Sequence, residues 1–443
     1  MADFVRSLPF LTETTDTFPA NTRDRAGKGE GGGVYNITWV FKRNKLNLLA
    51  RIFVGANDSM ADSSTNRFGL IGNPVSGSKS PVLFKAAYGG KYPYDLIEEP
   101  DFETAWHRFL GTESVQTGDG GNSGYTAINV TAPFKEMAFA KVLEAAREGR
   151  GSIDGPCFKI GATNLVVRRP GSEPVETGEH EASSPVGTEQ RPGSESGPVL
   201  EAHNSDFTGV VLSVAEAIFP GITEEFYREF GSRAPIKIHQ FVRQQIDKVY
   251  PRGPQALIVG CGGAGRAAAV AAAELGFATA LMNRTFEKAQ ALAQERPEYG
   301  FLPVPLNDFC GALKECDLII YTLPMRLDDI DRLTVEDFAG EDRDTYRRPA
   351  KIILEANYKT PAFAPASAAP AGAPDEHIPI FPAKKGHLAG AAAVQAGTAQ
   401  ERMETAGCKY VSGERWLKAQ AITGYALMTG QAPDIAAVFG AEL

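Results

Sequence analysis

The chain has 443 residues, 43% of them hydrophobic, and a formal net charge of -9. That length predicts two or three domains with ordinary cores, and an acidic balance without any long basic run excludes a typical nucleic-acid binder. No apolar stretch reaches the roughly 18 residues of a membrane span, and the N-terminus lacks the basic-then-apolar pattern of a secretory signal. Five cysteines (Cys157, Cys261, Cys310, Cys316, Cys408) are scattered and without metal-ligand spacing, so the chain suits a reducing cytoplasm and no metal is expected.

Residues 1–66 offer little beyond an apolar–basic alternation from Tyr35 to Val54. Met60-Ala61-Asp62 repeats the opening Met1-Ala2-Asp3, so the folded body is expected to begin near Met60, with the earlier segment a dispensable extension. Arg67 to Ile71 is an apolar strand running into Gly72-Asn73-Pro74-Val75-Ser76-Gly77-Ser78-Lys79-Ser80-Pro81. Pro81 suits the first turn of a helix. Ser78 and Ser80 offer short hydroxyls fit for a polyhydroxylated ligand, although such a cluster is by itself the usual dress of a helix cap or loop.

A strand at Tyr94 to Ile97, a helix at Phe102 to Leu110 and a Gly-rich loop at Gly118 to Gly124 come next. A further strand ends at Thr131 and leads through Pro133 to a helix from Lys135 to Arg147. A lysine at that junction stands on rigid elements, a good place for catalysis, but the residues alone favour an exposed first-turn lysine. Ile160 to Val167, containing Asn164, turns into a strand. Residues 170–198 are rich in Pro, Gly, Ser and Glu and cannot bury enough to order themselves, so a disordered insertion in a surface hairpin is expected. Leu200 to Ala202 resumes the strand before His203-Asn204-Ser205-Asp206-Phe207-Thr208-Gly209 and a helix from about Val210 to Phe219.

Gln255 to Thr285 organises the rest. Ala256 to Val259 is a buried-type strand, Gly260-Cys261-Gly262-Gly263-Ala264-Gly265 a G-x-G-x-x-G turn, Arg266 to Leu275 a helix stopped by Gly276, and Phe277 to Met282 a second strand. This is the dinucleotide-binding βαβ pattern. Gly260 permits the turn, Gly262 lets the backbone approach a pyrophosphate, and Gly265 lets helix and strand pack closely. At the second strand's end stand Asn283, Arg284 and Thr285, then Lys288, where an NAD site would carry an acid. A guanidinium there binds a 2′-phosphate that a carboxylate would repel, so NADP is the expected cofactor. Asp317 to Thr322 and Lys351 to Glu355 are further strands. Tyr358-Lys359-Thr360-Pro361, an Ala/Pro-rich linker at Ala364 to Ala373, a helix at Glu401 to Ala406 and a last helix from Gly413 to about Met428 complete the chain. Gln420 falls among that helix's apolar residues, as either a structural tie or a ligand contact.

Seven motifs occur in one order: G-N-P-x-x-x-S-K-S-P, N-V-T-x-P-F-K, G-A-T-N, N-S-D-x-x-G, G-x-G-G-A-G-R, N-R-T and L-x-x-Q-A. Together they resemble the shikimate and quinate dehydrogenase family over about Phe68 to Gly430. The resemblance implies an α/β fold. It has a substrate domain (67–205 with 413–443), a Rossmann-type NADP domain (206–412) and a C-terminal helix returning to the first. It implies Lys135 and Asp206 as catalytic pair, with Ser78, Ser80, Thr131, Asn164, Tyr358 and Gln420 on the substrate. It also implies reversible NADPH-dependent reduction of 3-dehydroshikimate to shikimate on the route to chorismate and aromatic amino acids. The partner would be this small molecule, with neither nucleic acid nor membrane, in a monomer or homodimer. Quinate or dual-substrate activity is the nearest alternative, and a non-catalytic ligand sensor a remote one. Phe207, His203 and the short stretch after Tyr358 depart from the family pattern.

Overall fold

The computed structural model describes residues 66–112, 124–169, 198–339, 349–363 and 397–443, which belong to one compact unit, Ser64–Leu443. The expected start at Met60, all but the last residue of the Gly-rich loop and of the insertion, and the Ala/Pro linker lie outside the described residues.

Six strands form the first sheet: β1 (Phe68–Gly72), β2 (Tyr94–Glu98), β3 (Ala127–Val130), β4 (Gly151–Ile153), β5 (Leu165–Arg169) and β6 (Val199–His203), in the order β2-β1-β3-β5-β6-β4. β1 pairs in parallel with β2 and β3, whereas β5 runs antiparallel to β3 and β6. Arg169 stands opposite Val199, so the two ends of the 170–198 segment leave the sheet side by side, as in a hairpin. Helices α1 (Ser80–Tyr88), α2 (Phe102–Leu110), α3 (Lys135–Arg147) and α4 (Gly155–Ile160) flank this sheet. Every residue of β1 is buried, the pattern of a strand covered on both faces. Phe102, Trp106, Phe134 and Val142 fill one side, and Phe68, Leu83 and Phe84 the other.

α5 spans Ser205–Ile218, which corrects the expected start near Val210. The side chain of Asn204 accepts the Asp206 N–H at 3.1 Å and caps the helix, and that polar first turn hides the helical period from an apolar-pattern reading. Two helices not anticipated follow, α6 (Ile222–Phe230) and α7 (Ala234–Val249).

The second sheet comprises β7 (Gln255–Val259), β8 (Ala278–Met282), β9 (Leu302–Pro303), β10 (Leu318–Tyr321), β11 (Ile352–Glu355) and β12 (Lys409–Val411), ordered β12-β11-β10-β7-β8-β9 with every pairing parallel. Read from β9, this is the doubly wound order 3-2-1-4-5-6. Its helices are α8 (Gly263–Leu275), α9 (Phe286–Glu295), α10 (Phe309–Glu315), α11 (Val335–Ala339) and α12 (Ala399–Thr405). The chain then returns through α13 (Gly413–Thr429) and α14 (Ile435–Gly440), whose Ile422, Tyr425, Met428 and Val438 join the core of the first sheet. α5 packs against both α13 and α8 and so ties the two lobes. Gly209 makes this possible, because a Cβ there would lie 2.6 Å from Trp416 Cδ1.

Candidate active site

Between the lobes lies a cavity of about 240 Å³. Ser78, Ser80, Thr131, Lys135, Asn164, Asp206, Tyr358 and Gln420 all line it. Two turns carry the first three. The Asn73–Pro74 and Ala132–Pro133 peptide bonds are cis, and Asn73 N–H donates to Ala132 O at 3.2 Å, which joins the turns. Glu98, at the end of β2, accepts the N–H groups of Val75 (2.8 Å) and Ser76 (2.6 Å) and so fixes the approach to Ser78.

Lys135 Nζ donates to Asp206 Oδ2 at 2.5 Å, with side chains 14% and 6% exposed. A pair so withdrawn from water needs its remaining lone pairs satisfied. Asn164 Nδ2 donates to Asp206 Oδ1 at 3.1 Å and points also at Ser205 Oγ (3.0 Å) and Gln420 Oε1 (3.3 Å). The Asn164 amide is held in that sense by Ser205 N–H, which donates to its Oδ1 at 2.8 Å. Trp416 Nε1 donates to the Asp206 carbonyl at 3.3 Å. Gln420 thus ties α13 to the pair's network and borders the cavity at the same time, so the two readings of it are not exclusive.

Asn129 was not anticipated. It lines the cavity, accepts from Tyr94 OH at 2.8 Å and donates to Asn164 O at 3.2 Å. A lone amide in the apolar strand Ala-Ile-Asn-Val was the available signal. His203, in contrast, turns away from chemistry: its Nδ1 lies 2.9 Å from Asp154 Oδ2 and its Nε2 3.9 Å from Glu201 Oε2. Burial would lower its pKa, but these two carboxylates outweigh that and raise it to about 9. Phe207 stacks edge-on with His239.

The glycine turn borders the same cavity through Ala264. Gly260 has φ +110°, and a Cβ on Gly265 would lie 1.9 Å from Gly260 O, so turn and close packing both forbid a side chain. A Cβ on Gly262 would meet no protein atom within 4 Å, so glycine there keeps clear the space before the helix. α8 begins with no side-chain cap and no acid in its first turn, leaving its N–H groups to an anion. Gly263 touches the other function: a Cβ there would lie 2.8 Å from Lys135 Cδ. Asn283 is committed to the fold, accepting Cys261 N–H at 3.0 Å and donating to Thr285 O at 2.9 Å. Thr285 stands at the N-cap position of α9, and Arg284 and Lys288 are exposed. The protein contact recorded for the Arg284 guanidinium is Met325 Sδ at 3.6 Å. The turn and this cationic corner fit a phosphorylated dinucleotide.

A second cavity, of about 260 Å³, contains none of these groups. Lys409 on its wall donates to Ala217 O at 2.6 Å, Glu216 accepts from Gly221 and Thr223 N–H, and Arg415 packs over the Phe439 ring at 4.3 Å, so its charges are already engaged.

The family model described as Shikimate / quinate 5-dehydrogenase matches residues 243–342. Shikimate dehydrogenase (NADP(+)) of Halobacterium salinarum is 27% identical over 266 residues, covering 60% of this chain and 71% of its own. That of Halorubrum lacusprofundi is 29% identical over 264 residues, covering 59% and 71%. The crystal structure of shikimate 5-dehydrogenase from Thermus thermophilus in complex with NADP(H) and shikimate covers 85% of this chain and 98% of its own, at 20% identity and a TM-score of 0.47. The family model thus falls on the dinucleotide lobe, and the curated shikimate dehydrogenases are similar to this chain over about 60% of its length.

Proposed function

We propose that the chain is an NADP-dependent shikimate dehydrogenase, reversibly reducing 3-dehydroshikimate to shikimate. One observation carries this: the Lys135–Asp206 pair, at 2.5 Å, lines a hydroxyl- and amide-rich cavity that the glycine turn also borders. The curated relatives are named for the same substrate and cofactor.

NADP, when bound, supplies or accepts the hydride. Carbonyl reduction leaves negative charge on oxygen, and the Lys135 ammonium stabilises it and gives up one proton to complete the hydroxyl. In the reverse direction the neutral amine takes that proton back. Asp206 aims the ammonium, and Asn164 and Gln420 hold Asp206 and the substrate in register. Ser78, Ser80, Thr131 and Tyr358 bind the substrate's hydroxyl and carboxylate groups. Arg284, supported by Lys288, binds the cofactor's 2′-phosphate, with Gly260, Gly262, Gly263, Ala264 and Gly265 along its pyrophosphate and Asn283 and Thr285 shaping the corner. The substrate domain is 67–205 with 413–443, the cofactor domain 206–412, and residues 1–66 an N-terminal extension whose part before Met60 is dispensable for folding. The enzyme acts on a small molecule in the cytoplasm, as a monomer or homodimer.

Initial rates of nicotinamide absorbance change test this, with shikimate and quinate each crossed with NADP and NAD. Activity confined to shikimate with NADP is expected. Preference for quinate or NAD keeps the chemistry and overturns the specificity. No activity with any pair, from folded protein, points to a ligand sensor.

A further inference from the structure

The short Tyr358-Lys359-Thr360-Pro361 stretch is held at both ends. Glu355, the last residue of β11, accepts the N–H groups of Ala362 and of Phe363 (3.4 Å) and the hydroxyl of Tyr410 (2.8 Å). Asn357 Oδ1 accepts from the N–H groups of Lys359 (3.1 Å) and Thr360 (3.2 Å), and its Nδ2 donates to Thr360 Oγ1 at 2.8 Å. An Asx turn so closed leaves the backbone little freedom. It lays the Lys359 stem across Gly77, with Nζ 2.7 Å from where a Cβ on that glycine would sit, one residue before Ser78. No hydrogen bond or ion pair engages this ammonium among the described residues.

Lys135, Asp206 and Lys359 are the charged side chains that line the cavity. The first two compensate each other at 2.5 Å. The cavity's uncompensated charge is therefore that of Lys359. Around it stand the Ser78 and Ser80 hydroxyls, 3.2 Å apart. The Tyr358 phenol lines the same cavity, and α1 starts with no side-chain cap and no acid in its first turn. Each of these favours an anion. Hydroxyls alone serve a carboxylate and its neutral ester almost equally, whereas an ammonium separates them.

We propose that Lys359 is the counter-ion of the substrate's carboxylate and makes the site select hydroxy acids over neutral polyols. This rests on the reading that the cavity takes a shikimate-like acid. The test measures kcat and KM for shikimate and for its methyl ester at saturating NADP, in wild type, Lys359→Met and Lys359→Arg. In Lys359→Met the KM for shikimate rises about tenfold while the ester's is unchanged, and Lys359→Arg restores most of the preference for the acid, the signature of a lost charge-assisted contact. An unchanged shikimate KM in Lys359→Met, or an equal rise for acid and ester, overturns the proposal while wild-type turnover leaves the functional reading intact. Wild type that turns over no shikimate overturns both.

Discussion

Lys135 is the residue on which turnover should depend most. Its ammonium is fixed by Asp206 at 2.5 Å rather than left to solvent, so its loss removes proton transfer without opening the hydroxyl-lined end of the cavity. Lys135→Ala should lower kcat roughly 10²–10⁴-fold, with KM for shikimate changed by only a few-fold. Steady-state rates check this, and near-normal turnover would remove Lys135 from the mechanism. Thermal midpoints must be taken beside them, because the substitution leaves a carboxylate only 6% exposed without its cation. Nothing in helix periodicity distinguishes Lys135 from an ordinary first-turn lysine. It became legible through seven motifs in one order, and so did Asp206, 71 residues further on. Asn129 escaped because its alternation with Ile128 and Val130 reads as plain strand. Arg284 was legible from one position at the end of β8. Exposed, with Met325 Sδ its recorded contact, it is free to meet a 2′-phosphate. Arg284→Ala should raise KM for NADP about tenfold or more and leave KM for NAD nearly unchanged, as expected of a lost guanidinium–phosphate pair. Equal changes for both cofactors would place Arg284 outside the phosphate site.

At the scale of elements, strands and helices with clean apolar runs read well: α2 and α3 begin and end as expected. α5 did not, because its first turn is Ser-Asp-Phe-Thr-Gly and its cap is Asn204. α6 and α7 have a usable helical period in Ile222 and Phe226, then Ile238, Phe241, Val242 and Ile246, all buried, but Gly231 and Pro235 punctuate the stretch. The approach to α5 also contains a titrating latch. His203 ends β6 beside Asp154, which caps α4 through Cys157 N–H at 2.7 Å, and beside Glu201. The imidazole's pKa, raised to about 9 in the folded chain, exceeds the roughly 6.5 of an unfolded one. The folded state therefore holds the proton more tightly. This contribution to stability is complete below about pH 6.5 and disappears as pH rises to about 9. Urea midpoints at intervals across that window should fall more steeply for wild type than for His203→Gln. Parallel slopes would show that the His203 proton does not stabilise the fold.

At the scale of the molecule, the proposed reaction needs two lobes held at one separation, since Lys135, its proposed proton donor, stands on one and the glycine turn on the other. α5 supplies a packed hinge side. The opposite side is latched by polar contacts: Lys159 Nζ to Glu274 Oε1 at 2.5 Å, Arg296 to Phe158 O at 3.1 Å, and Arg266. Arg266 is the residue next to the glycine turn. Its guanidinium pairs with Glu295 at 2.7 Å, reaches Ile160 O at 3.5 Å, and lies 3.6 Å from Glu136, the neighbour of Lys135. Its side chain is only 13% exposed, but its partners Glu136 and Glu295 are 56% and 46% exposed, so salt reaches these contacts from the carboxylate side. The arrangement makes Arg266 a positioning residue that couples the cofactor turn to the first turn of α3. Arg266→Ala should lower kcat several-fold and raise KM for both substrate and cofactor, because a small misplacement between reacting groups is costly. Arg266→Lys, which keeps the charge but not the fork, should recover only part of it. Rates at rising salt provide the discriminating readout. If Arg266 acts through its carboxylate partners, wild type should drift toward the variant as salt screens the exposed Glu136 and Glu295, while Arg266→Ala stays flat. An alanine variant that loses stability but keeps wild-type kcat and KM would reduce Arg266 to a structural tie.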